Sequence, residues 1–278
     1  MKLKPFIKNN HEEEAIQFIQ EHEPPEGYFL GFSGGKDSIV MKHLADLSGV
    51  KYQAYYAATG IDPPEIVKFI REHHPDVIFK RPHFKMPRKF PDWEGTHSFF
   101  GMIPKKGYPT RFRRWCCDEL KKKPTDDIPL KHRLMGIRAE ESSKRASRMK
   151  IESFRKKQIM YKPIFSWLEW EIWEFIETYK LPYCSLYDEG FSRIGCVICP
   201  MFCGDSRSKQ QRLQIYKARW PKFYVAFEKS MKKFWVDIGP EFIKKGYANN
   251  SEEFLQSWYN GNGSEAKSHK NRHRTMFD

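Results

Sequence analysis

Over the first half of the chain, short apolar runs alternate with segments whose apolar positions recur every three or four residues. Tyr28-Phe29-Leu30-Gly31-Phe32 predicts a buried strand, followed by the turn Ser33-Gly34-Gly35-Lys36-Asp37. From Ser38, Ile39, Val40, Leu44 and Leu47 predict a helix that Gly49 stops. Residues 52–57 predict a second strand, Thr59-Gly60-Ile61-Asp62 a turn, and Pro63-Pro64 the opening of a helix carrying Ile66, Val67, Phe69 and Ile70. Residues 77–79 and 132–137 predict a third and a fourth strand. This order of strand, turn and helix predicts an α/β fold with a doubly wound, mostly parallel sheet and helices on both faces. Such sheets bind ligands outside the carboxyl ends of their strands.

The rhythm breaks over residues 81–115, where Pro82, Pro87, Pro91, Pro104 and Pro109 predict a long loop or insertion. Residues 167–179 read as a helix with Leu168, Ile172, Trp173 and Ile176 as its apolar stripe. A cysteine knuckle follows, and then one long helix from about residue 208 to 235. Its Leu213, Tyr216, Trp220, Phe223, Tyr224, Phe227 and Phe234 recur at helical steps, as a core stripe does. Three regions are expected: a nucleotide-binding α/β domain over 1–160, a helical, cysteine-containing part over 161–263, and a basic tail over 264–278, expected to be mobile.

Composition narrows the class. The chain of 278 residues can bury a real core, and 49 Lys+Arg against 35 Asp+Glu give it a charge of +14, which points to anionic partners. No apolar run approaches a membrane span, and the N-terminus carries no signal-peptide pattern. Six cysteines are too few for a disulfide scaffold. Their grouping suggests metal or redox chemistry in a reducing compartment, so a soluble cytoplasmic protein without a membrane partner is expected.

The most informative stretch is Ser33-Gly34-Gly35-Lys36-Asp37-Ser38. Its glycines let the backbone approach an anion, the N–H groups at the following helix start point at it, and Ser33, Lys36 and Ser38 add donors. The Walker pattern fails, because four residues after Gly31 bring Lys36 where a glycine is required. The hexapeptide instead resembles the PP-loop of ATP pyrophosphatases, which cleave ATP between the α- and β-phosphates.

More of the chain resembles one branch of that superfamily, the phosphoadenosine-phosphosulfate (PAPS) reductases and the small subunit of ATP sulfurylase. The matching stretches are residues 59–65, the G-I-R-x-x-E-S-x-x-R pattern of Gly136–Arg145, Pro163-Ile164-Phe165-Ser166-Trp167, Leu181-Pro182-Tyr183, Leu186-Tyr187 and residues 195–200. The resemblance implies the adenine nucleotide α-hydrolase fold. It offers Asp37 and Asp62 as carboxylates for Mg²⁺, although either also suits the cap of the helix after it. It offers Arg138 and Arg145 as guanidinium forks for phosphate or sulfate. Residues 131–157 hold ten Lys/Arg against three acids, which favours an anion-facing surface over a solvated charge run.

Cys116-Cys117 precede Cys196-x-x-Cys199 by 78 residues, and a C-x-x-C turn with a distant cysteine or pair can give one metal four thiolates. The layout resembles that of the adenosine-phosphosulfate (APS) reductases, which carry a 4Fe–4S cluster. Cys203 is a rival ligand, with Cys116, Cys196 and Cys199 completing the alternative set. Zinc suits four thiolates equally well. Cys184 reads as packing.

Reductases of this family use a nucleophilic cysteine in a C-terminal Glu-Cys-Gly-Leu-His setting. No cysteine follows Cys203 here, and the loop resembles the ATP-using version. The expected activity is therefore cleavage of an adenine nucleotide, ATP before PAPS or APS, in adenylyl or sulfur-transfer chemistry. Lys36, Asp37 and Arg138 would be catalytic, and Ser33, Gly34, Gly35, Lys36, Asp37, Ser38, Asp62, Arg138 and Arg145 would bind the nucleotide. A true PAPS or APS reductase, and a nucleic-acid-binding or regulatory module, are the alternatives. A nucleic acid, a sulfur carrier and a second copy of the chain remain open as partners.

Overall fold

The computed structural model describes residues 10–82, 98–204 and 206–261. In chain order its elements begin with α1 (His11–Glu21), β1 (Tyr28–Gly31), α2 (Lys36–Ser48), β2 (Tyr52–Ala57), α3 (Pro64–His73) and β3 (Ile78–Lys80). There follow α4 (Phe99–Lys106), α5 (Trp115–Cys117), β4 (His132–Met135), α6 (Ser143–Ala146), β5 (Ile151–Phe154) and β6 (Gln158–Tyr161). The last are α7 (Glu169–Thr178), α8 (Arg207–Arg219), α9 (Pro221–Lys244) and α10 (Ser251–Tyr259).

The strands form one sheet in the order β3-β2-β1-β4-β6-β5. All neighbours are parallel except β5 and β6. The chain winds from β1 outward to β3, then returns to β4 on the other flank of β1. That reversal makes the carboxyl ends of β1 and β4 the switch point where doubly wound sheets bind ligands. Leu30 pairs with Ala54 on one side and Leu134 on the other, and all three are buried. The chain thus has the mostly parallel α/β architecture expected of it, with a helical part that carries cysteines.

The residues fall into two compact units, each built from separate stretches of chain. The first comprises residues 1–58, 64–81 and 125–195, and the second 59–63, 82–124 and 196–278. In the first unit, α2 buries Ile39, Val40, Met41, Leu44 and Ala45, and Tyr28 Oη donates to the Ile19 carbonyl at 2.9 Å, fixing α1. In the second unit α4 packs on α9. Phe99 stacks with Trp115 (5.7 Å between ring centres) and Phe227 (6.3 Å), and Trp258 Nε1 donates to the Pro109 carbonyl at 2.7 Å.

Several expectations need correction. The single helix over 208–235 is two helices, α8 and α9, because Pro221 lacks an N–H and Trp220 leaves helical geometry (φ −129°, ψ 59°). The stretch 81–115 is not all loop: Phe99, Met102 and Ile103 bury the apolar face of α4, with Ser98 Oγ capping it from the Gly101 N–H. Its remaining part over 83–97, including Pro87 and Pro91, lies outside the described residues, as does the tail 264–278. Strands 1 and 4 end earlier than expected, at Gly31 and Met135, the third is shifted by one residue, and β5 and β6 were not foreseen. Among the described residues no helix is long and apolar enough to cross a membrane.

Candidate functional site

In the first unit the β1–α2 loop turns on Gly34, whose φ of 74° lies in the left-handed region; a Cβ there would also stand 3.0 Å from Ile70. The loop is stitched by its own hydroxyls. Ser38 Oγ donates to the Gly35 carbonyl at 2.8 Å and accepts from the Ser33 N–H at 3.2 Å, and the two hydroxyl oxygens lie 3.2 Å apart. Gly136, at the end of β4, lets the strand approach α2: a Cβ there would meet the Asp37 carbonyl oxygen at 2.5 Å.

Arg138 leaves the same strand end and is 2% exposed. Its Nε donates to Asp37 Oδ1 at 2.5 Å and its Nη1 to Glu140 Oε2 at 2.5 Å, while Glu169 lies 3.9 Å from Nη2. Burial works against the guanidinium charge, but Asp37 and Glu140 outweigh it and hold the Arg138 pKa above its ordinary value. Asp37, foreseen as a carboxylate for Mg²⁺, is here the counter-charge of Arg138. Arg145 pairs with Glu141, which Arg193 also approaches at 3.8 Å. Burial and the guanidiniums of Arg193, Arg148 and Arg138 push the Arg145 pKa down to about 10, against the pull of Asp37. Such a crowd of like charges favours an anion.

Lys36 is 4% exposed and turned into the protein. Its Nζ donates to the Ser192 carbonyl at 2.9 Å, pairs with Glu169 at 3.3 Å, and lies 5.4 Å from the Tyr187 ring centre. Tyr187 Oη accepts from the Lys36 backbone N–H at 2.9 Å and lies above Gly35. Burial raises the Tyr187 phenol well above its ordinary range. Sequence reading missed Glu169, Tyr187 and Arg193 as members of this site. Of these, only Tyr187 fell in a stretch already singled out, Leu186-Tyr187.

The second unit gathers the cysteines. Residues 59–63 belong here, tied by the Val197 N–H to the Ile61 carbonyl (2.7 Å); Thr59 Oγ1 donates to Asp62 Oδ2 at 2.8 Å. Cys116 and Cys117 share a hydrogen bond, and of that pair Cys117 is the one that ionises, helped by Arg114, Lys121 and Lys122. Burial pushes Cys196 up to about 12, against Lys121, which hydrogen-bonds it. Cys196 and then Asp62, both beside it, raise the Lys121 pKa above its ordinary range. Burial and Cys199 push Cys203 up to about 12, and its Sγ faces the Cys199 carbonyl at 3.8 Å. Lys121, four residues after Cys117, was not foreseen as a member of this group. Cys184 belongs to the first unit, where it is buried.

By donor chemistry these residues fit a thiophilic metal: five cysteines in one unit, none of them in a disulfide, with Lys121 and Arg114 to offset thiolate charge. As the side chains stand, no three Cys, His, Asp or Glu among the described residues converge on one point.

A β–loop–α turn at the switch point of the sheet, with the buried Arg138 leaving the neighbouring strand end, is the architecture of the nucleotide-binding PP-loop superfamily. The chain belongs to the phosphoadenosine phosphosulfate reductase family, whose domain profile matches residues 27–202. It is 28% identical over 258 residues to an uncharacterized protein of Methanocaldococcus jannaschii, covering 86% of this chain and 49% of that one. It is 26% identical over 215 residues to a probable FAD synthase of Caenorhabditis elegans (70% and 36% covered), and 24% over 186 residues to an adenosine 5'-phosphosulfate reductase of Bacillus mycoides (62% and 73%). The crystal structure of PAPS reductase from Candida auris is also similar, with a TM-score of 0.49 at 16% identity, covering 69% of this chain and 91% of that one. The chain spans about half the length of the archaeal relatives it matches.

Proposed function

We propose that this chain binds an adenine nucleotide in the β1–α2 loop, ATP in preference to a phosphosulfate, and cleaves it between the α- and β-phosphates in adenylyl or sulfur-transfer chemistry. The observation that supports this most is the loop, where left-handed Gly34 and extended Gly35 present amides ahead of α2. An acceptor's lone pair attacks the α-phosphorus, the bond from that phosphorus to the bridging oxygen breaks, and pyrophosphate leaves with the electron pair. The amides of Gly34 and Gly35 and the hydroxyl of Ser33 stabilise the charge that develops on the leaving group, while Ser38 holds the loop through the Gly35 carbonyl. Arg138, fixed by Asp37 and Glu140, orients the α-phosphate, and Arg145 draws in the remaining anionic oxygens. Lys36 supplies positive charge from behind the loop. Asp37 would hold Mg²⁺, which neutralises phosphate charge when bound. Cys196 and Cys199 with Cys116, Cys117 or Cys203 would hold a 4Fe–4S cluster or zinc, the former supplying thiolate-bound iron for sulfur handling.

Calorimetric titration with ATP, PAPS and APS, paired with a pyrophosphate-release assay, tests the proposal. ATP binding with pyrophosphate release is expected. Tight PAPS binding with no ATP binding overturns it.

A second reading, a thiol-dependent PAPS or APS reductase, draws on the similarity to APS reductases. Thioredoxin-dependent sulfite release would establish it in place of the first.

A further inference from the structure

From Ser206 to Phe227 the chain carries six Lys or Arg and no Asp or Glu. The helices divide this stretch into two faces. Leu213, Tyr216, Trp220 and Tyr224 are buried, whereas Arg207, Gln211, Arg212, Gln214 and Arg219 of α8, and Lys222 at the start of α9, are exposed. The first acid after the stretch, Glu228, accepts from Tyr259 Oη at 2.7 Å and pairs with Lys217 of α8 at 3.4 Å, which takes Lys217 out of the exposed set. One of the exposed guanidiniums rests on an aromatic ring, Arg212 above Phe202 (5.1 Å). A guanidinium held by its face keeps its N–H edge available, and less freedom is lost when that edge meets a phosphate.

We infer that the exposed face of α8, continued by Lys222, is a docking surface for a nucleic acid, gripped through its phosphate backbone. The chemistry of the face selects that partner. Protein interfaces bury an apolar or aromatic centre from which charged residues are depleted. Here Ile215 is the one large apolar side chain that α8 exposes. A membrane surface would likewise need an apolar stripe to insert. Arginines and glutamines without acids or exposed rings match the polar, strongly cationic character of surfaces that bind nucleic acids. The inference goes beyond adenylyl transfer and stands whether or not that reading holds.

Fluorescence anisotropy with a labelled RNA hairpin and a DNA duplex of equal length, titrated with the full chain between about 50 and 200 mM salt, tests it. Binding of either that weakens steeply with salt is expected. The triple variant Arg207→Gln/Arg212→Gln/Arg219→Gln should weaken binding at least about tenfold and lower the log–log salt slope by about 2–3. Melting temperature and ATP titration check that the variant is folded; should it melt early, the single exposed changes Arg207→Glu and Arg212→Glu take its place. Failure of both nucleic acids to bind at about 50 mM salt overturns the inference. So does a triple variant with the affinity and slope of the parent, which would put binding on another basic segment such as 264–278.

Discussion

Tyr187 Oη accepts the backbone N–H of Lys36 at 2.9 Å, joining residues 151 positions apart. Burial keeps the phenol protonated, so the oxygen accepts from the loop while its own proton remains to be donated. Tyr187→Phe leaves the Lys36 amide without this acceptor and should lower stability by about 1–3 kcal/mol, read as an earlier thermal melt. An unchanged melt would mean that water replaces the hydroxyl without loss.

Gly34→Ala tests the loop. The substitution places a Cβ 3.0 Å from Ile70 at a φ of 74°, where side chains are unfavourable by about 1–2 kcal/mol. The backbone is expected to move, with ATP affinity falling more than about tenfold, since one good hydrogen bond to a charged group is worth at least that. Titration of a folded variant with parental affinity would remove the loop from the site.

Arg145 separates binding from stability. Its lowered pKa means that the fold holds its proton less tightly than the unfolded chain does. The resulting penalty applies at every pH below about 10 and is relieved only above it. Arg145→Gln should therefore keep or raise the melting temperature of the ligand-free protein while weakening ATP binding. A fall in both would make Arg145 a structural residue.

His74 gives the fold an acid limit. Packed between Phe32 (4.7 Å) and Phe69 (5.3 Å), it has a pKa lowered to about 4, by burial first and then by Lys42. The unfolded chain takes up this proton near pH 6.5, before the folded protein does. His74 thus contributes full stability above about pH 6.5 and up to about 3 kcal/mol is lost as the pH falls to about 4. Denaturant melts across that range should show a shallower decline for His74→Phe, and parallel profiles would assign the acid sensitivity to other groups.

Iron and zinc analysis of anaerobically purified protein, with a visible spectrum, addresses the cysteines. One metal centre per chain is expected, lost on Cys196→Ala or Cys199→Ala. Comparing Cys117→Ala with Cys203→Ala identifies the fourth ligand. Metal-free protein that melts like the parent would make the thiols packing residues.

The strands beside the loop were legible because β1 is a buried apolar run and β2 an aromatic-rich one with Ala54 and Tyr56 buried, both bounded by turn residues, and β2 was read to the residue. β5 and β6 escaped because Arg155-Lys156-Lys157 interrupts them, and Lys156 and Lys157 both turn at positive φ. The break between α8 and α9 was hidden by an aromatic stripe that runs straight through Trp220. In the site, Ser33–Ser38 and Arg138 were found through contiguous motifs. Glu169 and Arg193 had no such pattern, since each is a single charge brought in by tertiary folding. Lys121 carried a weak signal, its spacing from Cys117, which only acquires meaning once Cys196 is seen beside it.

The backbone passes from one unit to the other five times, at 58/59, 63/64, 81/82, 124/125 and 195/196. Neither the anion-handling half nor the thiol-bearing half therefore exists as an uninterrupted run of codons. A recombination event, a nick or a fusion boundary placed almost anywhere between those points would strand fragments of both. The phosphate-loop unit and the cysteine-bearing unit are thus interleaved in the sequence, so that neither can be cut out as one contiguous segment.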